Sequence, residues 1–213
     1  MADPEPVPNL HLSSLHGLAE WRRDVRRFKA DGIDDALLDP ILRLADLAPS
    51  VGNSQPWRVV RVLDERRRRA VRASFEAANA DAAGVYADER AAHYRSLKLA
   101  GLDRAPVHLA IFSDHGVQQG HGLGRRTMPE TLDYSCVCMI MLLWLAAREV
   151  GLGLGWVSIL APDEVTRILD VPADWKLVGY LLLGWPEEEH TDPELERAQW
   201  QKRLPFETRY VER

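Results

Sequence analysis

Hydrophobic and polar positions divide the chain into alternating helical and extended stretches. Residues 1–14 carry Pro4, Pro6 and Pro8 without an apolar period and read as a flexible leader. Residues 15–28 predict a short helix that runs on into the arginine-rich stretch WRRDVRRF. Asp39-Pro40 has the order of an N-cap and a first helical proline. Ile41, Leu44, Ala45 and Ala48 then fall on one helical face, which Pro49 stops. A loop at 50–55 leads to a strand at 56–63, and Asp64 caps a helix over 65–80. A second strand is expected at 107–113, followed by a mobile loop with four glycines between residues 116 and 124.

The strongest helix lies at 129–150. Its middle is apolar all round, which predicts burial on every side, at the centre of the fold or beneath a second subunit. Gly151 and Gly153 end it. A strand at 154–160, a short helix at 162–169 and a strand at 176–185 follow. The tail, 186–213, is polar but carries Trp200, Leu204, Phe206 and Tyr210, which predicts that it docks on something. These elements add up to a single α+β domain over 15–213, with about four strands separated by helices.

Composition narrows the reading. With 213 residues, 46% hydrophobic and 28% charged, the chain can bury a core, which excludes disorder for most of its length. The net charge of −5 argues against a nucleic-acid partner. The run Arg66 to Arg69 reads as a solvated helix face. Cys136 and Cys138 lie in one apolar run and fit neither a disulfide framework nor a CxxC metal site, so both are expected to be buried and structural. His115 and His121 lack partners at ligand spacing, and no metal is expected. The N-terminus has no secretory pattern, and the longest apolar run, 136–147, is short of the roughly 20 residues of a membrane span. A cytoplasmic protein without a membrane partner is expected.

Three separated segments carry the chemistry: WRRDVRRF at 21–28, APSVGNSQPW at 48–57 and GLGLGWVS at 151–158. The glycine-rich GVQQGHGLG does not belong with them, because it has neither the lysine of a P-loop nor the strand and spacing of a dinucleotide turn. Together the three segments resemble the nitroreductase-like FMN flavoprotein family, and Lys202-Arg203-Leu204-Pro205 resembles that family's terminal phosphate-binding segment. The resemblance runs from about residue 18 to 206. It implies a mostly antiparallel sheet flanked by helices and an intertwined homodimer with FMN at the subunit interface.

Within the family, RRDVRRF, APSVGNSQPW, YRSLKLAGLDRAPVHLAIFSD, GLGRRTMPETLDYSCV and GLGLGWVSIL are similar to the branch that makes 5,6-dimethylbenzimidazole, the lower ligand of cobalamin (vitamin B12). That likeness implies an oxidoreductase that fragments reduced FMN with molecular oxygen to 5,6-dimethylbenzimidazole and erythrose 4-phosphate. FMN is then a substrate, supplied by a separate NAD(P)H-dependent flavin reductase. A conventional NAD(P)H-dependent nitroreductase or flavin reductase with recycled FMN, or a non-catalytic flavin-binding protein, are the competing readings.

The resemblance carries FMN contact over to Arg22, Arg23, Asp24, Val25, Arg26, Ser50, Asn53, Ser54, Gln55, Lys98, Leu102, Trp156, Val157, Ser158 and Arg203. The residue types suit the ligand. A dianionic phosphate needs cations, which the arginines supply. A polar loop offers backbone N–H groups and short side chains without burying them unsatisfied. Asp24 is the informative residue, because a carboxylate beside an anionic reduced flavin is repelled and would be kept for general-base or proton-relay work. The competing reading is a salt bridge to a neighbouring arginine. The resemblance also implies a catalytic Ser158 over the flavin's reactive region. The stretch 81–104, with Tyr86, Tyr94 and Lys98, is expected to form a lid.

Overall fold

The structure, a computed structural model, describes residues 12–97 and 101–213. In chain order it contains α1 (Leu12–Trp21), α2 (Asp35–Ala45), β1 (Trp57–Arg61), α3 (Glu65–Ala83), α4 (Asp88–Ser96), β2 (Val107–Asp114), α5 (Thr131–Glu149), β3 (Gly153–Val157), α6 (Pro162–Leu169), β4 (Trp175–Gly184) and α7 (Glu194–Arg197). The strands form one antiparallel sheet in the order β1-β2-β4-β3. Strand alternation sends side chains to two cores. On one face Val107, Leu109, Ile111, Leu181 and Leu183 meet α2 and α5. On the other, Ala110, Phe112, Tyr180 and Leu182 meet residues of α3 and α6. Sequence periodicity locates these strands well because both faces of the central strands are apolar.

Several expectations are corrected. The first helix begins at Leu12, inside the expected leader, and ends at Trp21, and RRDVRRF beyond it is extended rather than helical. Phe28 is wholly buried in the second core, which pulls the segment straight. The second helix is capped by Asp34, whose carboxylate accepts the Ala36 N–H at 2.9 Å, so Pro40 sits inside the helix. Its buried face is Leu38, Ile41 and Ala45, while Leu44 is exposed. Arg67 and Arg68 are not merely solvated: they donate to the Ile168, Val62 and Pro106 carbonyls and tie α3 to its neighbours. Lys98 lies outside the described residues.

The expectation for α5 holds for one face only. Leu132, Cys136, Met139, Ile140 and Leu143 are buried against the sheet and α2. Tyr134, Val137 and Met141, on the other face, are 54%, 41% and 39% exposed, and Cys138 is exposed with them. This helix is also the one described helix long and apolar enough to cross a membrane, and it lies in the core of the fold.

One buried polar pair bears on stability. His108 on β2 lies 3.0 Å from the Tyr180 hydroxyl on β4. Burial first, and the Arg68 charge second, push the imidazole pKa from 6.5 down to about 4. The fold therefore keeps His108 neutral while an unfolded chain would protonate it. Stability from this group is complete above pH 6.5 and is lost as pH falls toward 4, by about 3 kcal/mol. His108→Gln is expected to be less stable than the wild type at pH 7 but to lose less on acidification. Urea midpoints at pH 7 and pH 4 check this, and parallel losses in the two proteins would contradict it.

Candidate active site: an arginine cleft and a distant amide loop

The extended segment after α1 runs along β3, the edge strand of the sheet. The Val25 N–H donates to the Leu154 carbonyl at 3.0 Å, and Asp24 bridges to Leu154 in parallel register. Gly155 makes the close approach possible, since a Cβ there would run into the Val25 carbonyl. At its far end the segment is held by the Lys29 N–H on the Trp185 carbonyl, 2.8 Å.

This anchoring gathers charge. Arg22, Arg23, Asp24 and Arg26 face Glu194, Leu195 and Arg203 across a cleft of about 350 Å³. Arg22 lies over the Trp144 ring at 4.7 Å, and the Trp144 indole N–H donates to the Arg23 carbonyl. Burial lowers the Arg22 and Arg23 pKa values, and the nearby Arg203 charge lowers both further. Arg27 is taken up by Glu188 and Glu194, at 2.8 and 3.0 Å. Arg22 and Arg203 have no salt-bridge partner among the described residues. Cations that repel one another around a cleft suit a ligand with a dianionic head. The donor set therefore fits the phosphate of FMN.

Asp24 is the only carboxylate on that segment, and both of its oxygens are engaged. Oδ1 accepts the Trp156 N–H at 2.9 Å, and Oδ2 accepts Arg26 Nε at 2.8 Å. The side chain keeps 31% of its surface at the floor of the cleft. Loss of solvent there raises its pKa, against the lowering pull of Arg26 and the Trp156 N–H. The salt bridge to a neighbouring arginine is thus present, and Asp24 also fixes the register of the arginine segment on β3.

The other site residues scatter. Trp156 is half-buried, 6.4 Å from the Trp144 ring, and Ser158 is exposed just past the end of β3. Val157 and Leu102 are buried in the second core, and Val25 packs against it. Ser50, Asn53, Ser54 and Gln55 lie at the start of β1, the opposite edge of the sheet. Three strand spacings, about 14 Å, separate the two edges. The loop is tightly held. The Gln55 N–H donates to Ser50 Oγ, and its side-chain amide donates to Asn53 Oδ1, both at 3.0 Å. Ser54 is buried and its hydroxyl lacks a partner among the described residues.

The glycine-rich stretch is not the free loop expected from its composition. Gly52, at φ 56°, and Gly120, at φ 80°, pack so closely that a Cβ on Gly52 would lie 2.8 Å from the Leu123 carbonyl. Gln119 donates its amide to the Asn53 carbonyl and to Gln55 Oε1, at 2.9 and 3.1 Å. The stretch is a buttress under the 50–55 loop. Sequence reasoning missed Gln119 and Trp144, because one sits in a glycine-rich loop and the other in an apolar helix. Among the described residues no group of three His, Cys, Asp or Glu side chains is placed to hold a metal.

The family model described as "Nitroreductase family" matches residues 19–185. The chain belongs to the nitroreductase family. Two relatives within it stand out. A protein of Rhodospirillum rubrum named 5,6-dimethylbenzimidazole synthase is 56% identical, over 90% of this chain and 90% of its own length. One of Rhodobacter capsulatus with the same name is 49% identical, over 92% of this chain and 95% of its own. Among solved nitroreductase-fold structures, an iodotyrosine deiodinase bound to FMN and 3-iodo-L-tyrosine superposes with a TM-score of 0.70 at 26% identity, covering 83% of this chain and 91% of its own.

Proposed function

We propose that the chain makes 5,6-dimethylbenzimidazole by oxygen-dependent fragmentation of reduced FMN, releasing erythrose 4-phosphate from the ribityl chain and the remaining pyrimidine-ring atoms as a separate fragment. The observation that carries this reading is the cleft that Arg22, Arg23 and Arg203 line together with Asp24; the two named synthase relatives support it. The reduced flavin supplies the ring atoms of the product and the electrons that oxygen takes up. Arg22, Arg23 and Arg203 hold its phosphate. Asp24 holds the arginine segment to β3 and, raised by burial, takes a proton from a ribityl hydroxyl. Ser158, free to turn beyond β3, presents its hydroxyl to the ring. Ser50, Asn53 and Gln55 offer amide and hydroxyl groups to the ring from a second copy of the chain, because their own arginine cleft lies across the sheet. A flavin reductase delivers the reduced substrate.

Two measurements test this. Mixed with chemically reduced FMN and then with air, the protein is expected to yield 5,6-dimethylbenzimidazole by mass spectrometry. Reoxidised FMN alone, with steady NADH turnover on a nitroaromatic acceptor, would instead mark a conventional nitroreductase. FMN binding with neither outcome would mark a carrier. Second, Arg22→Ala and Arg203→Ala are each expected to weaken reduced FMN binding by about 1.5–3 kcal/mol, the worth of a charge-assisted hydrogen bond. Anaerobic titration measures it, and unchanged affinity in both variants would place the phosphate elsewhere.

A further inference from the structure

We infer that Trp200 is a positioning residue that ties capture of the flavin phosphate to the seating of α4; the inference rests on the proposed FMN site. Helix α4 is poorly held by its own sequence. Its N-cap, Ala87, makes no side-chain bond, Asp88 stands at φ 50°, and only Ala91 and Tyr94 are buried along it. An uncapped helix with one short buried stripe has low local stability and depends on what packs against it.

One side of α4 rests on α3, where the Tyr94 hydroxyl donates to Asn79 Oδ1 at 2.8 Å; the other side is covered by Trp200. Arg90 lies 4.4 Å above the indole, and Tyr86, His93 and Tyr94 meet it edge-on at 5.4, 5.6 and 6.0 Å. His93 Nε2 lies 2.7 Å from the Ala198 carbonyl, a second tie to the same tail segment. The backbone of Trp200 is tied to the cleft: its N–H donates to the Leu195 carbonyl at 2.8 Å, and Leu195 lines the cleft beside Arg203. Arg203 follows three residues later, so its reach is set by where Trp200 is fixed, within about 10 Å. One aromatic side chain therefore spans the helix and the phosphate arm. A ligand whose phosphate holds Arg203 restrains the tail, and the restrained tail holds Arg90, His93 and Tyr94 on α4 and Tyr86 just before it. A ligand without the phosphate leaves both loose.

Amide hydrogen exchange on the full-length protein reads this directly. In the wild type, saturating FMN is expected to slow exchange of residues 85–97 about tenfold, and saturating riboflavin, which lacks the phosphate, to leave it unchanged. In Trp200→Ala, FMN still binds but no longer slows this segment, and Trp200→Phe restores part of the protection. Arg90→Ala, which removes one contact without opening the cluster, is expected to fall between them and serves if Trp200→Ala does not fold. Equal protection by FMN in the wild type and in the Trp200 or Arg90 variants overturns the inference, as does equal protection by riboflavin and FMN. FMN that binds the wild type without slowing 85–97 removes the coupling alone. FMN that fails to bind the wild type removes the site reading with it.

Discussion

Asp24→Asn is expected to bind reduced FMN at least as tightly as the wild type and to make about a hundredfold less 5,6-dimethylbenzimidazole, the lower range of a lost general base. The reason lies in how the carboxylate is used. Asparagine keeps an oxygen for the Trp156 N–H, so the arginine segment stays in register on β3. Its amide nitrogen replaces the oxygen that accepts from Arg26, so the incoming anion loses a competitor for the Arg26 guanidinium. Charge repulsion with the reduced ring disappears as well. Flavin and oxygen should still meet, and the variant should return oxidised FMN and hydrogen peroxide. Product analysis by mass spectrometry with a peroxide assay measures the partition. Ser158→Ala is expected to show the same diversion more mildly, since it removes one hydroxyl. Wild-type yield from Asp24→Asn would leave Asp24 only its structural bonds to β3 and Arg26.

The second large effect concerns assembly. Val137→Glu with Met141→Glu places two charges on the exposed apolar face of α5, which Tyr134 shares. Contiguous exposed surface of this kind marks a contact between chains. If the 50–55 loop serves the partner's arginine cleft, a monomer loses three or four ring contacts at about 1 kcal/mol or more each, and FMN affinity drops about a thousandfold. Light scattering with flavin fluorescence titration decides it. A monomer that binds FMN as the wild type does would mean that each chain holds the flavin alone.

The sheet and the long helices were legible because their signals are local and redundant. Residues 107–113 are apolar on both faces, Asp64 caps where a cap is needed, and 162–169 opens with a proline and carries an apolar face. The arginine segment was misread for a physical reason. Arginine favours helix, and the forces that straighten it, a vacant edge on β3 and a burial site for Phe28 lined in part by Gly101, lie far along the chain. The glycine-rich stretch looked mobile because composition records backbone freedom and not the Gly52 backbone that fills it. The exposed face of α5 was unreadable in kind: an apolar helix gives the same pattern whether its cover is its own chain or another. Of the chemistry, the identity of the cationic residues was plain in the sequence, but their convergence was not. Arg203 joins Arg22 only because α7 and Trp200 turn the tail back toward the cleft.

An edge strand is an invitation to unwanted pairing, and β3 has that exposure by its place in the sheet. Its sequence, GLGWV, is short, uncharged and apolar. The segment that lies along it is among the most cationic in the chain, and its backbone takes the Leu154 carbonyl that a stray strand would need. On the proposed function, flavin capture and colloidal behaviour therefore rest on the same few residues. A substitution that frees the arginine segment uncovers a sticky edge at the moment it empties the cleft, so loss of binding and precipitation should travel together.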